Sequence, residues 1–309
     1  SSVKTVTLDL NGHNITSSYD IKVGASDGYN TAYPGKLVVK GSGNIQASIL
    51  VNVQSALDLS GWTGGTISAV VLADNSSFGD DREPSLIVGE GAGTIAELTY
   101  RNWKLNNVTK TTLSGGTYGK ISQTGVESSG TLVLGQLLKD GFAFKKADGT
   151  FLPYNTPLKT NSSIENLTVV RCLHTSVTSV TSETGVMSGT CDYCGMTNIA
   201  AVLNGEALTD IDTAIGRWIS AGGTLTLHTN VADVAASISN TNKNWSCDST
   251  KTYTLDLNGH KLVDNKRSDD GKDTPAFTIT ATNMKLTIKD TSKAADGQLD
   301  NLLVGGGAR

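Results

Sequence analysis

Leu8-Asp9-Leu10-Asn11-Gly12-His13 decides how the chain is read, because it returns unchanged as Leu255-Asp256-Leu257-Asn258-Gly259-His260. The flanks echo as well: Thr5-Val6-Thr7 stands before the first copy and Thr252-Tyr253-Thr254 before the second. Two Leu residues two apart, fed by alternating Thr and Val, read as a short strand with one buried face. Asn-Gly then supplies the positive φ that a sharp turn requires. Six identical residues recurring at an offset of 247 positions are hard to obtain by chance, so the chain carries a large internal repeat. It reads as starting inside one copy and ending inside the next.

Composition agrees with a strand-built repeat. Charged residues are 17% and aromatics 6% of the 309, with only 5 Pro against 34 Gly. That balance suits many short strands joined by tight turns, and argues against a helical or a disordered chain. The length admits one large domain or two of ordinary size. A net charge of −4 gives no electrostatic reason to expect nucleic acid or an anionic membrane as partner. No apolar run is long enough to span a bilayer, and no signal peptide is visible.

From Val3 to about Val170, strand follows strand: Tyr19 to Val23, Lys36 to Lys40, Ser48 to Val53, Thr66 to Leu72, Ser85 to Val88, Thr94 to Tyr100, Thr131 to Leu134. Glycine turns such as Gly41-Ser42-Gly43, Gly64-Gly65, Gly91-Ala92-Gly93 and Gly115-Gly116 separate them. Units of about 20 to 25 residues that reuse one corner chemistry favour a parallel β-helix over a β-sandwich. Thr224 to His228, Ala276 to Thr280, Lys285 to Lys289 and Gln298 to Val304 continue the pattern. One helix stands out, since Leu208, Ile211, Ala214, Ile215, Trp218 and Ile219 share a face at spacings of three and four. Thr209 is placed to cap it and Gly222-Gly223 to stop it. Such a helix would cover the open end of a strand stack, with Trp218 buried beneath it. The expected architecture is therefore mainly β: parallel β-helix coils over 1–165, a small Cys-rich β-hairpin connector over 166–204, and a helix-capped second β-helix start over 205–309.

Chemistry concentrates in the connector. Cys172-Leu173-His174 sets two ligand types two apart, on one side of a strand if the segment is extended. Cys191-Asp192-Tyr193-Cys194 is a knuckle that aims two thiols at one point. Together Cys172, His174, Cys191 and Cys194 form a Cys3His set able to close a tetrahedral structural zinc site. The same residues also fit reduced thiols, or a disulfide from Cys172 to Cys191 or Cys194. Cys247 reads as a small buried residue. His13 and His260 read as corner residues that bond backbone, and His228 has no neighbour in sequence to mark a site. Glycan cleavage needs two acids about 5 to 9.5 Å apart in a groove. Asp9 and Asp256 stand alone on the outward side of their strands, while Asp80, Asp81 and Glu83, and Asp269, Asp270 and Asp273, fall in polar loops. No catalytic triad, phosphate loop or dinucleotide fingerprint is present, so no enzyme activity is expected. For binding, Tyr29, Tyr33, Trp62, Trp103, Tyr118 and Trp245 lie beside polar turns, where Tyr and Trp concentrate interface energy. Tyr29, Asn30 and Tyr33 in the loop Asp27 to Pro34 are the first choice.

The order Cys-x-His, Gly-x-Cys-x-x-Cys-Gly, amphipathic helix, Gly-Gly-Thr-Leu-Thr-Leu and Leu-Asp-Leu-Asn-Gly-His resembles repeat units of very large surface proteins of Gram-positive gut bacteria. Cys172, His174, Gly189, Cys191, Cys194, Gly195, Leu208 to Ile219, Gly222 to Leu227 and Leu255 to His260 carry the resemblance. Leu113 to Ile121 and Leu137 to Phe144 are similar to a late segment of such units. The resemblance implies an extracellular, wall-attached, non-catalytic array. Some proteins of this kind resemble B-cell superantigens, which makes an antibody heavy-chain variable domain the implied host partner. A glycan-binding or glycan-cleaving β-helix, and a plain spacer in a surface adhesin, are the alternatives.

Overall fold

The two copies of Leu-Asp-Leu-Asn-Gly-His adopt one conformation. In the computed structural model, which describes residues 3–26, 32–73, 83–101, 110–125, 131–181, 187–263, 277–279, 285–299 and 302–304, each copy ends a strand: Lys4–Asp9 and Thr252–Asp256. Asn11 and Asn258 have φ of 44° and 46°, and Gly12 and Gly259 of 83° and 78°, the left-handed pair that an Asn-Gly turn allows. The Asn11 N–H donates to the Asp9 carboxylate at 3.2 Å and the Asn258 N–H to Asp256 at 3.1 Å. Each strand then pairs in parallel with a Lys-Leu-x-x-Lys strand, Gly35–Gly41 or Lys285–Lys289. The register is equivalent: Leu8 lies beside Val39 as Leu255 lies beside Ile288, and Asp9 beside Lys40 as Asp256 beside Lys289. Both Asp–Lys pairs close at 3.2 Å. The repeat seen in six letters is thus a repeat of a turn, a register and an ion pair.

Strands dominate the chain, which divides into two compact units: Ser1–Cys172 with Tyr193–Gly195, and Leu173–Asp192 with Met196–Arg309. In the first unit, Lys4–Asp9, Gly35–Gly41, Ala56–Trp62, Ser85–Val88 and Lys110–Leu113 form one parallel sheet. A second parallel sheet contains Ile15–Thr16, Ile45–Val51, Thr66–Ala73, Thr94–Arg101 and Thr117–Thr124. The chain visits the two sheets in turn, and like residues stack from strand to strand. Ile45, Ile67, Ile95 and Tyr118 form one buried column, and Val70, Leu98 and Ile121 another. Alternation of buried and exposed residues along Ile45–Val51 is what a strand with one apolar face shows. At one corner glycine is obligatory, because a Cβ on Gly65 would strike the Gly43 carbonyl oxygen, and one on Gly93 the Gly65 carbonyl oxygen. The second sheet ends in antiparallel strands, Ser162–Arg171 and then Phe142–Lys146. Ser162–Arg171 runs through the boundary expected at 165. Thr131 to Leu134 is only partly extended, as Leu132–Val133 followed by a 3-10 turn at Leu134–Leu137.

In the second unit a sheet runs Glu206–Leu208, Ala201–Leu203, Gly223–Leu227, Thr252–Asp256, Lys285–Lys289. Its first pairings are antiparallel and its last two parallel. The helix spans Ile211–Ala221, and Ala214, Ile215 and Trp218 are its buried face. Its cap is Asp210, not the expected Thr209: the Asp210 carboxylate accepts from the Thr213 N–H at 2.7 Å. A carboxylate at this position also complements the positive end of the helix. Trp218 sits edge-to-face on Trp245 and Tyr253, at 5.1 and 5.6 Å. The Trp218 Nε1–H donates to the Gly223 carbonyl at 3.0 Å. A hairpin of Val177–Thr181 and Met187–Cys191 belongs to the same unit.

Candidate functional site

Cys172, His174 and Cys194 are all buried, and one ligand atom from each lies within 4.8 Å of the others. Strand alternation is not what joins Cys172 to His174. The strand ends at Arg171, and His174 has a left-handed φ of 49°. That conformation is uncommon for a residue with a side chain, though His tolerates it better than most. The ring is held by a specific bond, with His174 Nδ1 2.9 Å from the Gly205 carbonyl oxygen. A carbonyl only accepts, so Nδ1 is the donor in this bond. Metal-bound histidines are oriented in this way, with the ring nitrogen away from the metal donating to a backbone carbonyl. The knuckle at Cys191–Cys194 is fixed by its ends: the Cys191 N–H donates to the Met196 carbonyl at 2.9 Å and the Asp192 N–H to the Ser176 carbonyl at 3.0 Å. Gly195 turns it at φ 70°, with no room for a Cβ beside the Tyr154 ring.

The buried Cys-His-Cys cluster fits a thiophilic ion such as zinc, whose ligand atoms lie about 3.5 to 4 Å apart in a tetrahedron with bonds of roughly 2.0 to 2.3 Å. Among the described residues no disulfide joins any two of the four cysteines. Cys191, though buried, is not in the group of three. It shares a face of its strand with Gly189, where a Cβ would meet the His228 Cβ at 3.1 Å, so that face looks toward His228.

His228 has no neighbour in sequence to mark it, yet it stands in the second unit's cleft. With His174, Asp256, Asn258, Thr226 and Thr291 it lines a cleft of about 530 Å³ in the second unit. His228 and His260 rings lie 6.2 Å apart. Burial, then the neighbouring His260, pushes the His228 imidazole down to about 4, so it is neutral near pH 7. Burial also lowers His260, against the opposing pull of Asp296 and Asp290. His260 Nε2 lies 3.2 Å from the Ser179 hydroxyl of the hairpin. The signal for this cluster was the repeat itself, since it fixes His260 and His228 opens from the strand just before it. The two copies nevertheless differ, because His13 is exposed and His260 buried.

Asp256, Glu83, Asp58 and Asp290 are engaged in structure. Asp256 is buried, not outward-facing as expected. It accepts from the Asn258 N–H at 3.1 Å, the Thr291 N–H at 3.1 Å and the Thr291 hydroxyl at 2.8 Å. Glu83 is buried and paired with Lys110 at 3.1 Å, so it is not a solvated loop residue. Asp58 pairs with Lys36 at 3.0 Å. The Asp290 carboxyl, despite desolvation, is held at about 2 by the N–H groups of Ser292, Gly297 and Gly259. Three of the six candidate binding aromatics are core residues. Trp62, Tyr118 and Trp245 are fully buried, and each donates to a backbone carbonyl at 3.0 to 3.1 Å. Tyr33 is 60% exposed. Tyr29, Asn30, Trp103, Asp80, Asp81, Asp269, Asp270 and Asp273 lie outside the described residues. Cys247 is buried, and burial pushes its thiol up to about 11.

No family model, curated protein or solved structure matches the chain. Among the described residues no helix is long and apolar enough to cross a membrane.

Proposed function

We propose that this chain is a non-catalytic binding module of a bacterial cell-surface protein, built from parallel β-helix coils and stiffened by one structural zinc. The observation that carries the reading is the recurrence of one strand, turn, register and ion pair at two distant places in the chain. Recurrence at that level is the mark of repeat arrays, in which each unit covers the apolar face of the next. The engaged carboxylates support a non-catalytic role. Cys172, His174 and Cys194 would hold the zinc, and the ion would act as a cross-link in a segment with little core of its own.

The proposed ligand is a host protein, with an immunoglobulin heavy-chain variable domain first. The exposed Tyr33 on a strand scaffold supports this, because an aromatic anchor on a rigid element loses little entropy on binding. The cleft gives the glycan alternative little support: among the described residues its lining has no Trp, Tyr or Phe to stack on a sugar, and the one carboxylate there, Asp256, is engaged. The immobilised chain should retain immunoglobulin from a polyclonal pool at micromolar concentration, whatever the antigen specificity and in step with heavy-chain family. Absence of retention by folded protein sinks the immunoglobulin reading, and release of sugar from glycans transfers the case to the alternative.

A further inference from the structure

The strand Thr252–Asp256 is flanked on both sides in the second unit, by Gly223–Leu227 and by Lys285–Lys289, both parallel to it. Its counterpart Lys4–Asp9 has the equivalent of only one neighbour, Gly35–Gly41. Among the described residues nothing pairs with its other edge. The consequence is visible residue by residue. Tyr253 is fully buried, whereas Val6 in the same place is 61% exposed. Leu255 and Asp256 are buried, while Leu8 is half-buried and Asp9 exposed. What covers Tyr253 is known: Trp218 packs on its ring at 5.6 Å, and its hydroxyl donates to the Ile219 carbonyl at 3.1 Å. Both belong to the helix that leads into the Gly223–Leu227 strand.

The backbone of Lys4–Asp9 is poised in the same way. The Leu10 N–H donates to the Lys40 carbonyl at 2.9 Å, as Leu257 does to Lys289 at 2.8 Å. Alternate residues of a parallel strand turn their amides to opposite sides. The amides of Thr5, Thr7 and Asp9 therefore face the open edge, as those of Thr252, Thr254 and Asp256 face Gly223–Leu227. An unpaired edge with an exposed Val beside it is a template for an added strand. We infer that the Lys4–Asp9 edge is a docking surface for a helix–strand segment of the kind formed by residues 211–227. The partner is an amphipathic helix bearing a Trp at its end, followed by Gly-Gly-Thr-Leu-Thr-Leu. It adds in parallel, its first Leu beside Leu8 as Leu225 lies beside Leu255.

The test adds that segment to the intact chain. Residues 196–251 are duplicated and joined ahead of Thr5, so that the second copy of Lys251 takes the place of Lys4. Hydrogen exchange at the Thr5, Thr7 and Asp9 amides should then slow by on the order of 100-fold. Val6→Asp should abolish that protection in the extended chain and leave the melting of the original chain unchanged. A folded extension without slowed exchange at those three amides overturns the inference. So does an extension that stays unfolded on an otherwise native chain, because the edge then fails to order the segment. If the original chain alone shows concentration-dependent protection of the same amides, the occupant is a second copy and the inference is likewise overturned.

Discussion

Trp218→Ala removes the centre of the second unit's aromatic cluster, and its cost follows from the packing. The side chain is fully buried. At about 200 Å² for a buried Trp and about 25 cal/mol per Å², lost burial alone approaches 5 kcal/mol as an upper bound. Two edge-to-face contacts, to Trp245 and Tyr253, and an orphaned Gly223 carbonyl add to the loss. Partial collapse of the cavity offsets some of it, which leaves about 4 kcal/mol. Urea unfolding followed by circular dichroism should show the loss in the transition of the second unit, with the first unit's transition unmoved. A double-mutant cycle with Tyr253→Leu should return a coupling of about 1 kcal/mol. A loss below about 1 kcal/mol, or no coupling, would refute the role given to this helix as the cover of the strand beneath it.

Three further outcomes are expected. Metal analysis of the purified chain should find one zinc, and because a structural zinc contributes roughly 10 to 16 kcal/mol in apparent binding against roughly 2 to 4 for a disulfide, chelator should loosen residues 166–204 more than reductant does. Metal-free protein with a quantitative disulfide would end the zinc proposal. His228 sets an acid limit: its folded value of about 4 lies below the ordinary 6.5, so its contribution is intact above pH 6.5 and is lost as pH falls toward 4, by about 3 kcal/mol in all. His228→Gln should flatten stability over that window, and an unchanged pH profile would contradict the buried neutral imidazole. Tyr33→Ala should leave melting unchanged because the ring is exposed, yet weaken immunoglobulin binding by about 2 kcal/mol if Tyr33 anchors it; unchanged affinity would remove Tyr33 from the interface.

Local rules carried the sequence reading far where they governed the structure. Ser85–Val88 and Lys285–Lys289 are strands to the residue, because a short run of apolar and β-branched residues bounded by polar and turn-forming ones marks extended chain. The helix was legible from the spacing of Ile211, Ala214, Ile215 and Trp218, but not its cap. Thr209 and Asp210 are both good caps, and only the entry path of the chain chooses between them. Cys172, His174 and Cys194 come together as expected from their types, yet through a left-handed His174 that no spacing rule announces. The aromatics misled for a different reason. Trp62, Tyr118 and Trp245 flank polar turns in sequence, but in a thin strand stack the residue beside a turn is also the one that fills the corner of the core. Asp256 and Asp9 stand in the same seven-residue sequence Thr-Leu-Asp-Leu-Asn-Gly-His and differ in exposure, since burial there is decided by strands far away along the chain.

The columns of Ile45, Ile67, Ile95 and Tyr118 have a mechanical consequence. Ile67 and Ile95 each stand in register between two members of the column, so a defect there falls first on the adjacent rungs. Damage at one level then opens a local blister and leaves the distant rungs standing. Failure of such a column starts at its weakest rung.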